Sequence, residues 1–600
     1  MKTIQLIKML VVIATSSILL SCSASSPEPE VKLTVISSME RIQQHEPIFG
    51  EPKTVIKAAR NEYEAFQVVV GAMQRNVRVV NAEISDLTGD AGTIGKHNAT
   101  LYRPEYVRII RSAPRAQVPP GLHTDPLVPF IDPYTGEPIK PFRTYQEYWP
   151  GPQLTEGAET YPLPFEVWKG QNQPIWVDVY IPKDAAAGEY KGTFTVTLDD
   201  YPSQWGPVQD TVANKVLTIP VSLTVWDFTL PDGPTHRNHF GGVGSIPARY
   251  NVERDSEEFI RLEERYCRLF SDHRMNPPIP RRIMPVMNDD GTLTIDPDRH
   301  AALEQFIHDH HMRDFEIPRA PLPGTTNPHR PLTRDEEMKM VNYYRDYYNY
   351  LKENGWDQGA YVYLYDEPNT PECYTRVLEL SAMVREGAPD LKVLVVEQPY
   401  SHEPDWPHMG PAIDIWCGLL GFIDRDSTNF ALDRGDEVWS YTALCQRSPR
   451  YHPKYEEVRN YDPPYWQIDM LTTSFRTPTW INYQYGITGI LYWSFTTRVR
   501  DSWHNPAFRI RFNGDGYFIY PGVPCGIEGP VASIRMKNIR ESMEDYEYFH
   551  KLEQLAGREA VLDIVSDVAP EWWATSRDPE AILAAREKIA EAIVRYKGQN

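Results

Sequence analysis

Two adjacent carboxylic acids, Asp366 and Glu367, follow a short apolar stretch, Tyr361–Tyr365, that is typical of a buried strand. Pro368 comes directly after them, and because proline has no N–H for the ladder it ends the strand. A charged pair at a strand end is costly to desolvate unless it is hydrogen-bonded or takes part in chemistry. The pair is therefore the first candidate for a reactive site; the alternative is an Asp-Glu-Pro that only caps the following helix.

Such a pair could carry out proton transfer at a glycosidic bond, where one acid protonates the leaving oxygen and a second group stabilises the oxocarbenium-like centre. Neighbouring Cα atoms lie only about 3.8 Å apart. Asp366 and Glu367 therefore cannot sit comfortably on opposite sides of one bond as nucleophile and acid. We expect Glu367 to act as general acid/base and Asp366 to orient a 2-acetamido group, whose carbonyl oxygen is the nucleophile.

Two other carboxylates leave a conventional mechanism open. Glu397 ends the predicted strand Lys392–Glu397, and Asp414 lies in the predicted strand Ile413–Trp416. Either could face Glu367 as a separate nucleophile. The result would be a retaining glycosidase that does not require an acetamido group on its sugar.

Side chains at other predicted strand ends could form the walls of a sugar site. Aromatic residues make up 12% of the chain, with 15 Trp and 35 Tyr, and their flat apolar faces with polar edges suit stacking on sugar rings. We predict substrate binding by Gln398, Trp416, Tyr441 and Trp493. For the three aromatic residues, a role in the core is the alternative.

These strand ends lie in a region where apolar strands alternate with amphipathic helices, which implies parallel strand pairing. The helices are predicted at Ser256–Phe270, Arg299–His311, Thr333–Asn354 and Pro371–Glu386. Residues 235–555 have room for about eight strand–helix units, so the expected fold is a (β/α)8 TIM-like barrel with its active site at the carboxyl ends of the strands. We expect a β-hairpin insertion near residues 508–520, with Asn513–Gly516 as its turn. Helices are predicted over residues 556–600.

The preceding part, residues 31–231, contains short apolar runs separated by Gly, Pro and Asp, which predicts an N-terminal antiparallel β-sandwich. The segment Ala113–Pro164 is rich in proline and aromatic residues. We interpret it as a long ordered loop that could reach the next domain, with a decorative insertion as the alternative.

The N-terminus carries a targeting signal. Lys2 and Lys8 precede the apolar run Met9–Leu20, which is too short to span a bilayer and is followed closely by Cys22. The sequence Leu-Leu-Ser-Cys resembles a bacterial lipobox and predicts a signal peptide over residues 1–21, lipidation of Cys22 and a flexible tether over residues 22–30. An ordinary secretory signal is the alternative. We expect a secreted lipoprotein of the cell envelope, periplasmic or on the outer-membrane surface, held by its lipid alone.

Composition disfavours several other classes. A net charge of −21 disfavours binding to nucleic acid or to anionic lipid. The six cysteines form no CxxC pair and have no zinc-like spacing, and His308, His310 and His311 favour a surface cluster over a metal site. Gly241–Gly244 lacks the spacing of a dinucleotide-binding loop. No metal and no cofactor are expected.

Four stretches resemble glycoside hydrolase family 123 and its broader bacterial relatives. They are Ala59–Gln67, Tyr363–Pro368, Asn513–Gly522 and Ser533–Tyr548. The resemblance implies a β-sandwich joined to a barrel, and an exo-acting β-N-acetylgalactosaminidase that uses an adjacent Asp-Glu pair in substrate-assisted, retaining catalysis on a glycan or glycolipid. It assigns the acetamido-orienting role to Asp366 and the acid/base role to Glu367. A catalytically inactive surface glycan-binding lipoprotein and a structural sandwich protein remain alternatives.

Overall fold

The computed structural model describes residues 29–141, 144–145, 153–154, 158–199, 215–399, 405–448, 450, 452–459, 461–496 and 501–598. The predicted signal peptide, the lipidation site Cys22 and most of the predicted tether lie outside the described residues. No helix in these ranges is long and apolar enough to cross a membrane.

The N-terminal part of the described chain is built from strands that are mostly short and apolar on one face. They are β1 (Val31–Ser37), β2 (Thr54–Arg60), β3 (Glu62–Ala72), β4 (Val77–Ile84), β5 (Leu87–Gly89), β6 (Gly92–Ile94), β7 (Ala99–Ile109), β8 (Gly121–Pro129), β9 (Thr144–Tyr145), β10 (Gln153–Leu154), β11 (Phe165–Val167), β12 (Asn172–Ile181), β13 (Gly188–Asp199) and β14 (Lys215–Thr229).

Two sheets form a sandwich. One has the order β1-β3-β12-β7-β8, and the other has the order β11-β4-β13-β14-β2. Their neighbours are antiparallel except β14 and β2, which run parallel. Alternate residues of β3 and β13, such as Val68 and Val196, lie in one shared core, because successive side chains of a strand point to opposite faces.

The rest of the described chain alternates strands with helices. Its elements are β15 (Arg237–Phe240), α1 (Ile246–Tyr250), α2 (Glu257–Ser271), β16 (Val286–Met287), β17 (Leu293–Thr294), α3 (Pro297–Asp309), β18 (Phe315–Ile317), α4 (Arg334–Glu353), β19 (Ala360–Asp366), α5 (Pro371–Gly387), β20 (Lys392–Val396), β21 (Ile415–Leu419), α6 (Arg425–Asp433), β22 (Glu437–Tyr441), α7 (Tyr455–Val458), α8 (Thr473–Arg476), α9 (Pro478–Tyr485), β23 (Gly489–Tyr492), β24 (Ala507–Phe508), β25 (Phe512–Asn513), β26 (Ile519–Pro521), β27 (Pro530–Ala532), α10 (Ile534–Ala556), α11 (Arg558–Val568) and α12 (Pro579–Lys597).

Seven parallel strands of this part, counted over the described residues, form one curled sheet in the order β15-β23-β22-β21-β20-β19-β18. Over the described residues, these strands do not complete the expected (β/α)8 barrel. Between β15 and β18 the segment Asn276–Pro280 contains three prolines, which cannot donate to a ladder. Hydrogen bonds of Asn276 bridge the gap between β15 and β18 instead. Its backbone N–H donates to Asn238 Oδ1 (2.7 Å), and its side-chain amide donates to Asp314 Oδ2 (2.9 Å).

The two faces of the curled sheet have separate cores. Tyr361, Cys417 and Trp439 lie in an inner cluster, whereas Val362 and Trp416 belong to an outer cluster together with apolar residues of the helices. The alternation of side chains along each strand produces this division. Any residue at a strand end can therefore be assigned to the inside or to the helix side.

Helix α10 lies against both domains and buries charged residues along most of its length. Arg535 pairs with Asp125 of the sandwich (2.9 Å), and both Lys537 and Arg540 pair with Asp178 of β12 (2.8 and 2.6 Å). Buried charges persist only when paired. These ion pairs therefore join the two domains.

The predicted hairpin is shorter than expected. Strands β24 and β25 pair with each other, so residues 509–511 form the turn and Asn513–Gly516 begins at the end of the hairpin. The reason lies in Asp515, which is fully buried. Its Oδ1 accepts hydrogen bonds from Leu444 N (3.2 Å) and Gln467 Nε2 (2.6 Å).

The start of the proline-rich segment reaches the second domain. The Ala113 N–H donates to Asp469 Oδ2 (2.6 Å), and the Gln117 N–H donates to Asp469 O (3.0 Å). The sandwich therefore contributes a loop to the domain that contains the curled sheet. Most of residues 142–157 lie outside the described ranges.

Candidate active site

The two acids lie where β19 ends, and an irregularity in that strand turns both of them toward the inner face. The pairing of β19 with β20 shifts register between Tyr363 and Tyr365, and Glu367 has a left-handed φ of 44°. In a regular strand, adjacent side chains point to opposite faces. The register shift and the left-handed residue remove that alternation, as β-bulges commonly do beside active sites.

A tyrosine of the inner face holds each acid. The Tyr363 hydroxyl donates to Asp366 Oδ1 (2.8 Å), and the Tyr441 hydroxyl, at the end of β22, donates to Glu367 Oε1 (2.5 Å). Tyr441 belongs to the inner cluster and Tyr363 packs against it. Both acids are solvent-exposed. They are therefore fixed in orientation and open to a substrate at the carboxyl ends of the strands.

The backbone conformation of Glu367 is rarely adopted outside glycine and costs about 1–3 kcal/mol, so the surrounding structure must impose it. Pro368 follows it, and α5 then begins with Thr370 as its N-cap, whose side chain accepts from Cys373 N (3.2 Å). The helix is thus capped by Thr370, and neither acid serves as its cap. Strain of this kind clusters at functional sites.

A polar layer lies below the acids inside the sheet. His239 of β15 makes a hydrogen bond through Nδ1 with the Tyr361 hydroxyl (2.9 Å) and lies 3.3 Å from Glu316 Oε2. Its ring is 5.5 Å from that of Tyr363. His239, Glu316 and Tyr363 were not among the predicted site residues. The Tyr-Val-Tyr alternation of β19 was the available signal, because it places Tyr361 and Tyr363 on the same face as the reactive pair.

Glu397 lies close to Glu367 along the neighbouring strand end but points toward the helices. Its Oε2 accepts from the Tyr374 hydroxyl of α5 (3.2 Å), and its Oε1 accepts from Gln398 N (2.9 Å). Burial raises the pKa of Glu397 to about 7, and the negative charge of Glu367 adds to the rise. A side chain in this position is not aimed at the inner face.

Asp414 lies at the opposite end of the sheet. It precedes β21, accepts from Val393 N (2.6 Å) and forms an ion pair with Arg385 (2.5 Å). The amino ends of parallel strands all lie at one edge, away from the ends that carry Asp366 and Glu367. Asp414 therefore helps to fix the start of β21.

The four predicted substrate-binding residues fall into two groups. Tyr441 lies on the inner face with the acids, and Trp493 directly follows β23 with 37% of its surface exposed. Trp416 is buried on the helix side, where its indole N–H donates to Asp436 Oδ2 (2.9 Å). Gln398 is also buried and borders the same small space as Glu397 and Trp416. The structure thus groups Tyr441, but not Trp416 or Gln398, with the reactive pair.

No group of three or more His, Cys, Asp or Glu side chains within the described ranges is arranged to hold a metal ion. The five cysteines that the structure describes are buried and form no disulfide with each other.

Two stretches of the chain match family models. Residues 468–552 match the glycoside hydrolase 123 catalytic domain, and residues 144–198 match the glycoside hydrolase 123 N-terminal domain. The resemblance seen in the sequence is thereby confirmed. The catalytic-domain match does not extend to Asp366 and Glu367. No curated protein matches the chain.

The fold is shared with a family 123 glycoside hydrolase from Clostridium perfringens, whose published description concerns glycolipid glycan hydrolysis. The TM-score is 0.65 at 13% sequence identity, over 95% of this chain and 99% of that one. A β-galacturonidase from Eisenbergiella tayi is 8% identical over 86% of this chain and 97% of its own, with a TM-score of 0.28. That score does not indicate a shared overall fold.

Proposed function

We propose that this chain, which its family 123 domains and shared fold identify as a glycoside hydrolase, releases terminal β-linked N-acetylgalactosamine by substrate-assisted, retaining catalysis. The observation that carries the proposal is the placement of two adjacent acids on one inner face, each held by its own tyrosine. Two carboxylates so close together suit a division of labour better than attack from opposite sides of a sugar.

Each acid has one task in this mechanism. The Asp366 carboxylate accepts a hydrogen bond from the acetamido N–H of the sugar and polarises that group. The acetamido oxygen attacks the anomeric carbon while Glu367 donates its proton to the leaving glycosidic oxygen. Glu367 then takes a proton from the water that opens the oxazoline at the same carbon, so the configuration is retained.

The positions of the other carboxylates support this division. Glu397 is directed to Tyr374 on the helix side of the sheet, and Asp414 lies at the amino ends of the strands in a pair with Arg385. A separate nucleophile must reach the anomeric carbon opposite the general acid. Neither side chain is placed to do so.

The choice of sugar rests on the resemblance to family 123. The Clostridium perfringens protein acts on glycolipid glycans, as its published description states, and we propose a glycan or glycolipid substrate here as well. We also propose that the mature chain is a lipoprotein of the cell envelope, anchored through Cys22.

Turnover of aryl β-glycosides of N-acetylgalactosamine, N-acetylglucosamine and galactose tests the proposal. We expect hydrolysis of the acetamido sugars, N-acetylgalactosamine fastest, and losses of at least about 100-fold in Glu367→Gln and Asp366→Asn. Glu372→Gln, an exposed change on the first turn of α5, should keep full activity and serves as the control.

Other outcomes would contradict separate parts of the proposal. Equal turnover of galactose and N-acetylgalactosamine would exclude the acetamido mechanism. Full activity in Glu367→Gln would exclude the assigned acid. Faster turnover of N-acetylglucosamine would change the sugar and leave the mechanism intact. Binding of glycans without turnover would show an inactive glycan-binding protein.

A further inference from the structure

A large cavity lies between the two domains. It has a volume of about 1200 Å³ and is bordered by the sandwich, by helix α2 and by residues of α10. Neither of the acids Asp366 and Glu367 lines it, and neither does Tyr441 or Trp493. Ligand pockets commonly measure about 300–1000 Å³ and often lie at domain interfaces. This cavity therefore has room for an oligosaccharide-sized ligand, separate from the proposed active site.

The charge of the lining is opposite in sign to that of the whole chain. Among the described lining residues are six cations, Lys96, Lys140, Arg265, Arg268, Lys537 and Arg540. The carboxylates of the lining are Glu83, Asp178 and Asp272, which leaves an excess of three positive charges in a chain with a net charge of −21. A concave surface with an excess of one charge focuses the field and attracts the opposite charge. The ligand is therefore expected to be an anion.

Each domain contributes an exposed cation to the rim of the cavity, Lys96 from the sandwich and Arg268 from α2. Their side chains are 64% and 63% exposed, and each forms a long 3.9 Å ion pair, with Glu83 and Asp272 respectively. Arg268 also donates a long hydrogen bond to Asp309 O (3.5 Å). Such exposed pairs contribute little. These two side chains are therefore available to bind an anionic group that spans the cleft.

The floor differs from the rim because its cations are already paired. Lys537 and Arg540 both bind Asp178 (2.8 and 2.6 Å). These buried pairs hold the domains together and give the floor a fixed shape. The rim, not the floor, is the place where charge can select a ligand.

The remaining lining suits the non-ionic parts of a sugar. Prolines 129, 133, 138, 141, 162 and 530 line the cavity, as do the rings of Tyr63, Tyr102 and Phe130. Proline fixes its backbone φ, so these apolar faces are rigid. Apolar faces with a few charged groups are the usual composition of a binding site for a small polar molecule.

His273 adds a buried hydrogen-bonding group to the wall. Its Nδ1 makes a hydrogen bond with Leu269 O (2.7 Å), and its Nε2 has no partner among the described residues. Burial lowers the pKa of His273, so the ring is neutral and Nε2 is an acceptor. The ring therefore adds no charge to the wall of the cavity.

From these features we infer that the cavity between the domains is a second binding site, which takes an acidic oligosaccharide whose carboxylate or sulfate groups contact Lys96 and Arg268. The site holds glycan chains near the enzyme independently of turnover. Charge-assisted hydrogen bonds from lysine and arginine give it preference for acidic over neutral chains.

Isothermal titration calorimetry on the full-length Glu367→Gln protein tests this inference without interference from turnover. The probes are a mannuronate tetrasaccharide, its carboxyl-reduced mannose counterpart, a sulfated mannose tetrasaccharide and inorganic sulfate. We expect one mannuronate or sulfated chain per protein, with binding that weakens as salt is added. Preference between these two probes identifies the acidic group.

Two double variants with equal charge change complete the test. Lys96→Gln with Arg268→Gln should weaken binding of the acidic chain at least about 10-fold, because two charge-assisted contacts are lost. Lys191→Gln with Arg334→Gln alters exposed cations outside the cavity and should leave binding unchanged. Absence of binding, equal binding of the mannose chain or of inorganic sulfate, or equal losses in both double variants would each overturn the inference.

Discussion

At the scale of single residues, Tyr441 contacts the proposed acid/base directly. Its hydroxyl donates to Glu367 Oε1, and Glu367 holds an unfavourable left-handed backbone. Tyr441→Phe should lower kcat/KM about 10–100-fold, because a hydrogen bond to a charged group contributes about 1.5–3 kcal/mol. Initial rates on an aryl β-glycoside of N-acetylgalactosamine measure the effect, together with a melting temperature to show that the protein is folded.

Tyr365→Phe is the matched control for this change. Its hydroxyl donates to Thr326 O, and its ring belongs to the outer cluster. It should retain nearly full activity. If Tyr441→Phe is as active as Tyr365→Phe, the hydrogen bond to Glu367 does not orient the acid.

Glu397 gives a pH-dependent prediction. Burial raises its folded-state pKa to about 7 from the ordinary 4.5. The unfolded chain therefore loses this proton first, so its ionisation lowers stability as pH rises from about 4.5 to 7 and lowers it no further above 7. Glu397→Gln, which cannot ionise, should be about 1–2 kcal/mol more stable than the native chain at pH 8 and close to it at pH 4.

Urea unfolding at both pH values measures this difference. Glu386→Gln, an exposed change on α5, should match the native chain at both. A lower stability of Glu397→Gln at pH 8 would show that the charged form is the favoured one in the fold.

At this scale the sequence predicted the position of Asp366 and Glu367 at a strand end, but not the side chains around them. Trp416 and Cys417 illustrate the reason. A strand alternates its side chains, so a shift of one residue exchanges inside and outside, and the sequence of β21 is apolar on both faces. Cys417 faces inward and Trp416 outward. Tyr441 was predicted as a sugar-ring wall, and its hydrogen bond to Glu367 was not foreseen.

At the scale of elements, β15 and β23 meet at the mouth of the site. A Cβ at Gly241 would lie 2.2 Å from Trp493 O, so no other residue fits without moving the backbone that carries Trp493. Gly241→Ala should lower the free energy of unfolding by about 1–3 kcal/mol and reduce kcat/KM, since displacing groups of a site by as little as about 1 Å can cost about 100-fold. Steady-state kinetics and urea unfolding provide the measurements.

Gly242 supplies the control, because a Cβ there would meet nothing within 4 Å. Gly242→Ala should leave both quantities nearly unchanged. Unaltered kinetics and stability in Gly241→Ala would mean that the approach of the two strand ends is not constrained.

Element boundaries were predictable where local chemistry sets them. Helix α2 begins after the Ser256 cap, and α4 begins after Thr333, which forms a capping box with Glu336; side chains a few residues away decide such ends. The gap between β15 and β18 was not predictable in this way. The gap is bridged by Asn238, Asn276 and Asp314, which are distant in sequence.

At the scale of the whole molecule, buried charges join the sandwich, the second domain and the C-terminal helices. Arg586 of α12 pairs with Glu62 and Glu64 of β3 (2.8 and 3.0 Å) and with Asp545 of α10 (2.9 Å). The sequence does not show that the charged residues of α10 would be buried, because their partners are distant in sequence and include Asp125 and Asp178 of the other domain. Neither domain can expose this network without leaving charges unpaired.

The network predicts that the protein unfolds as one cooperative unit, because separating the domains would break the same ion pairs as unfolding either one. Differential scanning calorimetry should show a single transition, with a van't Hoff enthalpy equal to the calorimetric enthalpy. Two resolved transitions would show that the interface is not part of the folding core.

Arg586→Met tests the same network chemically. It should destabilise the protein by about 3–5 kcal/mol at pH 8, because it leaves buried carboxylates without their cation. Burial raises the folded-state pKa of Glu62 and Glu64, and Arg586 opposes that rise. The variant's deficit should therefore shrink as pH falls toward 4.5, because below about 7 these carboxyls become neutral in the folded native chain as they already are in the folded variant. Arg595→Met, an exposed change on the same helix, should have little effect at either pH. An equal loss at both pH values would mean that Arg586 acts through packing and not through charge.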